Sequence, residues 1–286
     1  MKPFKLLPAL LFLFILSVKA ETGPSWSTKY EHPKCFIENK GQFHLPNGNE
    51  PVEFAYDNSS TRIYFTKKGV TYSFLKVWKD LEEEGEREKD IKKANFQDVR
   101  TVEEWRKKEE EEHKAKFIAD YVNIEWENSN PNVEIVAEQK IPSYFSYTFK
   151  DNTGKKVNEN FLAGYEKITY KNLYPNIDVE YIFHASEGIK YSITLHPGAD
   201  PSVIKMKYDG NKNLSINNGN LVISTKLGDI VDHAPITFYG GNVPSVIKSQ
   251  FVKTGNQISF QLDTYDNTKT VIIDPWTVTP AFATNW

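Results

Sequence analysis

Two short runs, Asp178 to Phe183 and Ile189 to Leu195, alternate apolar with polar or aromatic side chains, and a short polar segment ending at Gly188 joins them. A period of two on both sides of a turn is the pattern of a β-hairpin with one buried face. On the second run Ile189, Tyr191, Ile193 and Leu195 point one way and Lys190, Ser192 and Thr194 the other. Turns flank the pair: Tyr174-Pro175-Asn176 before it and His196-Pro197-Gly198-Ala199-Asp200-Pro201 after it, where Pro fixes φ and Gly supplies positive φ. A hairpin with one apolar face is not stable alone, so the rest of the chain must lay strands against it.

Further strands are legible on both sides. Phe36 to Gln42 reads as a first edge element, and Val52 to Tyr56 as a strand. Ile63 to Phe65 and Val70 to Phe74 flank Thr66-Lys67-Lys68-Gly69 as a second hairpin with Tyr72 and Phe74 on one face, its glycine placed for positive φ. Ala119 to Trp126 and Val133 to Ala137 flank the turn cluster Glu127 to Asn132, and Tyr144 to Phe149 alternates. Beyond Val203 come turn signals at Asp209-Gly210-Asn211, Asn217 to Asn220, Leu227-Gly228-Asp229, Gly240-Gly241-Asn242 and Thr254-Gly255-Asn256, at the spacing of a sandwich or barrel. Aromatics at 14% with two Met fit strands better than helices. The expected fold is mainly β, with antiparallel β-sandwich-like sheets in one or two sub-domains, the second beginning near Asp151 to Asn160.

One segment departs from this pattern. Residues 79–116 hold 14 acidic and 11 basic side chains, with Glu83–Arg87, Glu88–Lys92, Glu103–Lys107, Glu104–Lys108 and Glu110–Lys114 in the i,i+4 order that favours a helix. Its apolar residues are too sparse for a core face, so it reads as a charged helical insertion projecting from a β body.

Residues 1–20 carry Lys2 and Lys5, an apolar run from Leu6 to Val18 and the small-residue site Val18-Lys19-Ala20, the layout of a secretory signal peptide. The domain plan is therefore a signal peptide at 1–20, an N-terminal β sub-domain at 21–150 containing the insertion, and a C-terminal antiparallel β sub-domain at 151–286. No integral membrane segment is expected after signal cleavage, and the location is secreted or cell surface. A formal charge of −3 gives no reason to expect nucleic acid. Cys35 is the single cysteine, which excludes an internal disulfide and reads as a buried residue rather than a nucleophile.

Six segments carry a resemblance: Phe36 to Gln42, Ile63 to Val70, Tyr170 to Asp178, His196 to Pro201, Gly219 to Ile223 and Ile272 to Pro275. Together they resemble the N-terminal domain of large secreted proteins of Bacteroidota-type bacteria, the gliding-motility-associated and β-propeller-repeat (SBBP) group. The resemblance implies a β-rich module of unknown function at the head of a longer exported protein. It brings no catalytic residues to this chain.

The residues themselves offer little chemistry. Asp178 and Glu180 share one face of a strand, which is the minimum a glycosidase needs, although a polar outer face explains them as well. Asp209-Gly210-Asn211 opens like a calcium loop, but Leu214 and Asn220 stand where Gly and Glu are required. The six histidines lack metal-ligand spacing, Asp232-His233 has no nucleophile beside it, and Glu38 and Gln42 read as loop anchors. No catalytic, cofactor-binding or metal residues are assigned. The leading expectation is a non-catalytic exported β-rich structural or interaction module with a protein or glycan partner. The second is a carbohydrate-binding module using Trp26, Trp78, Trp105, Trp126, Trp276 or Trp286 as a stacking platform, and the third a glycosidase-like enzyme.

Overall fold

A computed structural model of the chain describes residues 33–48, 50–58, 60–78, 116–151, 153–183, 188–241 and 245–280. Its first strands are β1 (Phe36–Glu38), β2 (Val52–Asn58), β3 (Thr61–Thr66), β4 (Gly69–Trp78) and β5 (Lys116–Trp126). A long hairpin follows, β6 (Glu134–Lys150) and β7 (Lys156–Tyr174), then β8 (Ile177–Phe183), β9 (Ile189–Leu195) and β10 (Met206–Asp209). Next come β11 (Asn213–Asn217), β12 (Asn220–Thr225), β13 (Gly228–Asp232), β14 (Ile236–Tyr239) and β15 (Val246–Ile247). The last are β16 (Ser249–Thr254), β17 (Gln257–Leu262), β18 (Val271–Asp274) and β19 (Trp276–Val278). Helix among the described residues is limited to one 3₁₀ turn at Pro201–Val203, capped by the Asp200 side chain. The helical insertion expected over 79–116 lies outside the described residues except for Lys116, which opens β5. The signal peptide expected at 1–20 lies outside them too. No helix among the described residues is long and apolar enough to cross a membrane.

The β8–β9 hairpin has the expected faces. Ile189, Tyr191, Ile193 and Leu195 are buried while the residues between them are half-buried, and the ladder runs unbroken from Ile177 opposite Leu195 to Phe183 opposite Ile189. Around it the sheets are not two separate layers of a sandwich. They form one antiparallel sheet curled into a nearly closed barrel. From β7 the order runs one way through β1, β2, β3, β4, β5, β10, β17 and β16. The other way it runs through β8 and β9 to β18 and β19.

Closure depends on strands that change partners along their length. β7 is 19 residues long, and its far edge is shared between β1 at Gly164 and Tyr165 and β8 from Lys167 onward. β18 and β19 keep one register against β9 and are interrupted at Pro275, which has no N–H to give. Beyond them β14 pairs β18 and β13 pairs β19, so the sheet forks. One branch ends at β11, and the other passes through β15 directly into β16, which pairs β17. Sharing of this kind bends a sheet toward closure.

Several expectations need correction. β1 is not an edge element, since β2 and β7 pair with its two sides. The turn at Glu127 to Asn132 does not return β6 onto β5, because β6 pairs β7 and β5 pairs β4 and β10. Gly69 has no positive φ; a side chain there would put its Cβ 1.9 Å from the Ile124 carbonyl oxygen, so close backbone approach demands the glycine. Residues 153–155 lead from β6 into β7, which begins at Lys156. Lys34–Trp286 make one compact unit.

The main core fills the barrel. A second, smaller one gathers Cys35, Ile37, Phe43, Val52, Ala55, Tyr64 and Leu162. β3 serves both: Ile63 and Phe65 belong to the main core and Tyr64 to the smaller one.

Candidate functional site

The alternation of β5 creates two polar environments, one on each face of the strand. Val122 and Trp126 are buried, whereas Tyr121, Asn123 and Glu125 are half-buried. The outer row lies in an open cleft of about 330 Å³, completed by Asn47, Glu50, Lys68 and Asp209. Asn123 pairs with Thr71 on β4 and Asp209 on β10, and its Oδ1 accepts from Thr71 Oγ1 at 2.8 Å. The loop before β2 supplies the opposite wall, with Asn47 Nδ2 donating to the Tyr121 hydroxyl and Lys68 Nζ 2.8 Å from Glu50 Oε2. Gly210, at φ +83°, leaves room for the Tyr121 ring, which a side chain there would crowd at 3.1 Å. The cleft thus offers a phenol, two amides, an ammonium and three carboxylates, all within reach of solvent.

The inner face of β5 borders a small cavity of about 20 Å³ in the barrel core. Tyr72, Trp126, Tyr181, Tyr191, Tyr208, Asp232 and Thr277 contribute its polar atoms. Tyr191 donates to Asp232 Oδ2 at 2.6 Å, and Thr277 Oγ1 donates to Oδ1 at 3.3 Å. Burial raises the Asp232 carboxyl from an ordinary 3.8 to about 7, against the pull of these two hydrogen bonds. Burial likewise holds the Tyr72, Tyr191 and Tyr208 hydroxyls protonated, and Asp232 adds to this.

The residues singled out from sequence are occupied structurally. Asp178 holds the Asn172 N–H, Lys171 Nζ at 3.0 Å and His196 Nε2 at 3.1 Å, while Glu180 sits 3.3 Å from Lys167 Nζ. Both belong to cross-strand polar pairs. Cys35 is fully buried and burial pushes its thiol up to about 12, so it is no nucleophile at neutral pH. Glu38 pairs with Lys40, and Gln42 Nε2 donates to the Glu38 carbonyl at 2.7 Å. The hub of that loop is Asn39, whose amide donates to the Phe43 and Val52 carbonyls and accepts from the Gly41 and Phe43 N–H groups. Of the tryptophans, Trp126 is in the core and Trp276 has one face covered by His233, the rings parallel at 3.9 Å. Trp26, Trp105, Trp286 and the Trp78 side chain lie outside the described residues. Among the described residues no three His, Cys, Asp or Glu side chains are grouped to hold a metal.

Comparison with known protein families gives one match. The profile of a domain of unknown function, DUF7948, covers residues 36–276. The chain belongs to the DUF7948 family. No curated protein and no solved structure matches it. In this DUF7948 domain the segments that carried the resemblance are fold-setting: the Asn39 loop, the β3–β4 hairpin, the β7–β8 turn with Asn176 at φ 60°, and Ile272 to Pro275 where the sheet forks. The outer row of β5 was legible only as an alternation. Nothing local tied it to Asn47, which is 74 residues away.

Proposed function

We propose that this DUF7948 domain is a non-catalytic, exported β-rich interaction module that binds a polar, polyhydroxylated ligand, a glycan, in the cleft over β5. The observation that carries this reading is the cleft itself: about 330 Å³ of open space whose walls are mainly hydrogen-bonding side chains around one tyrosine. Sugars present many hydroxyls that donate and accept at once, and Asn, Glu, Asp and Lys answer both roles, while an aromatic ring packs against the C–H face of a pyranose. Export is supported by the signal-like residues 1–20. The resemblance to secreted gliding-motility-associated and SBBP proteins supports a place at the head of a longer surface protein. A non-catalytic role is supported by Asp178 and Glu180, which are engaged in cross-strand ion pairs, and by the buried neutral thiol of Cys35.

A glycan-array screen of the chain from Glu21 to Trp286, with Tyr121→Ala and Glu125→Gln in parallel, tests the proposal. Saturable binding to a defined glycan, weakened at least about tenfold in both variants while their melting stays near wild type, is expected; tenfold corresponds to ~1.4 kcal/mol. Silence of the folded protein across the array, or binding that both variants retain, overturns it.

A further inference from the structure

Two groups at the inner cavity are incompletely satisfied by protein atoms. The Trp126 indole N–H is buried, with the side chain 2% exposed, and makes no hydrogen bond. The Tyr181 hydroxyl lies near it, yet the two do not reach hydrogen-bond geometry. Asp232, also 2% exposed, accepts from Tyr191 and Thr277 and so uses about half of a carboxylate's acceptor sites. The titratable groups acting on it are phenols: Tyr72 from β4, Tyr191 from β9 and Tyr208 from β10. Among the described residues no cation acts on it.

Between these groups lies the cavity of about 20 Å³. A buried water needs room for one water-sized sphere and two to four polar partners. The cavity admits a water molecule. Whatever occupies the space must accept from an indole N–H and donate to a carboxyl group. An apolar atom does neither, and an anion would be repelled by an ionised Asp232. Water does both and carries no charge.

We propose that a long-lived water in the barrel interior bridges Trp126 and Asp232, accepting from Trp126 Nε1–H and donating to the carboxyl group. It converts the acid–phenol pair into a connected network through β5, β9, β13 and β19, and it gives Asp232 a third donor. A third donor favours the ionised carboxyl and opposes the effect of burial.

A crystal structure of the full chain at a resolution that shows ordered solvent decides the point. One peak within about 3.2 Å of both Trp126 Nε1 and an Asp232 carboxyl oxygen is the expected result. In solution, the folded protein labelled with ¹⁵N-tryptophan is expected to show cross-relaxation between one indole N–H and water, with the sign of a long-lived complex. That signal should be lost in Trp126→Phe. If Trp126→Phe does not fold, the crystallographic result stands as the test. An empty cavity, or an indole that turns to hydrogen-bond Tyr181 directly, overturns the proposal.

Discussion

The two faces of β5 carry similar chemistry and do different work. Outside, Tyr121, Asn123 and Glu125 meet the walls of an open cleft of about 330 Å³. Inside, Trp126 looks across about 20 Å³ toward Asp232 and the tyrosines around it. Both faces carry aromatic, carboxyl and hydrogen-bond-donor chemistry, but only the inner set is shut off from bulk solvent. Desolvation turns polar groups into structural obligations, since each unpaired one costs free energy, whereas solvated groups stay free to exchange water for a ligand. A period of two along a single strand separates the roles.

If this separation is right, inner substitutions cost stability and outer ones cost binding. The largest effect is expected from Trp126→Ala, which empties a fully buried site: roughly 3–5 kcal/mol lost in urea unfolding. Tyr191→Phe removes one of the two protein donors to a buried carboxyl and is expected to cost about 1–3 kcal/mol in the same measurement. The pH dependence sharpens the contrast. The folded carboxyl of Asp232 lies at about 7 against 3.8 for an ordinary aspartate, so the unfolded chain gives up this proton first. Its contribution is complete below about 3.8 and is lost as pH rises through about 7. Unfolding curves between pH 5 and 8 should therefore show stability falling in the wild type and a flatter profile in Asp232→Asn. At the small end, Glu125→Gln on the outer face is expected to move stability by less than about 0.5 kcal/mol. A shift comparable to that of Tyr191→Phe would erase the distinction between the faces.

How much of this was legible depended on whether the signal was local. β8 and β9 emerged with their faces correct because Ile189, Tyr191, Ile193 and Leu195 alternate with polar residues, and that alternation is set by the strand itself. The turns at Asn218-Gly219 and Gly255 announced themselves through residues that accept positive φ. Barrel closure had no such signal. The pairing of β1 with β7 and of β5 with β10 joins segments far apart in sequence, and Val and Ile read the same in a sandwich and in a barrel. Gly69 illustrates the limit at one residue: its place in a turn suggested φ, while the actual cause is the Ile124 carbonyl of another strand. Asp232 looked unremarkable beside His233, because what defines it is burial and a hydroxyl from Tyr191, 41 residues away. The cleft was half visible, through the polar row of β5, and half hidden, through a loop that reaches Tyr121 only in the folded chain.

The most direct test of the division between the faces is the titration of the Asp232 carboxyl carbon by NMR in the folded protein, assigned with Asp232→Asn. A midpoint raised well above the ordinary aspartate range, toward about 7, is predicted, because a buried interior disfavours the charge even with a bound water beside it. A midpoint in the ordinary range near 4 would mean that bulk solvent reaches the inner face of β5 as freely as the outer one, and would contradict the account.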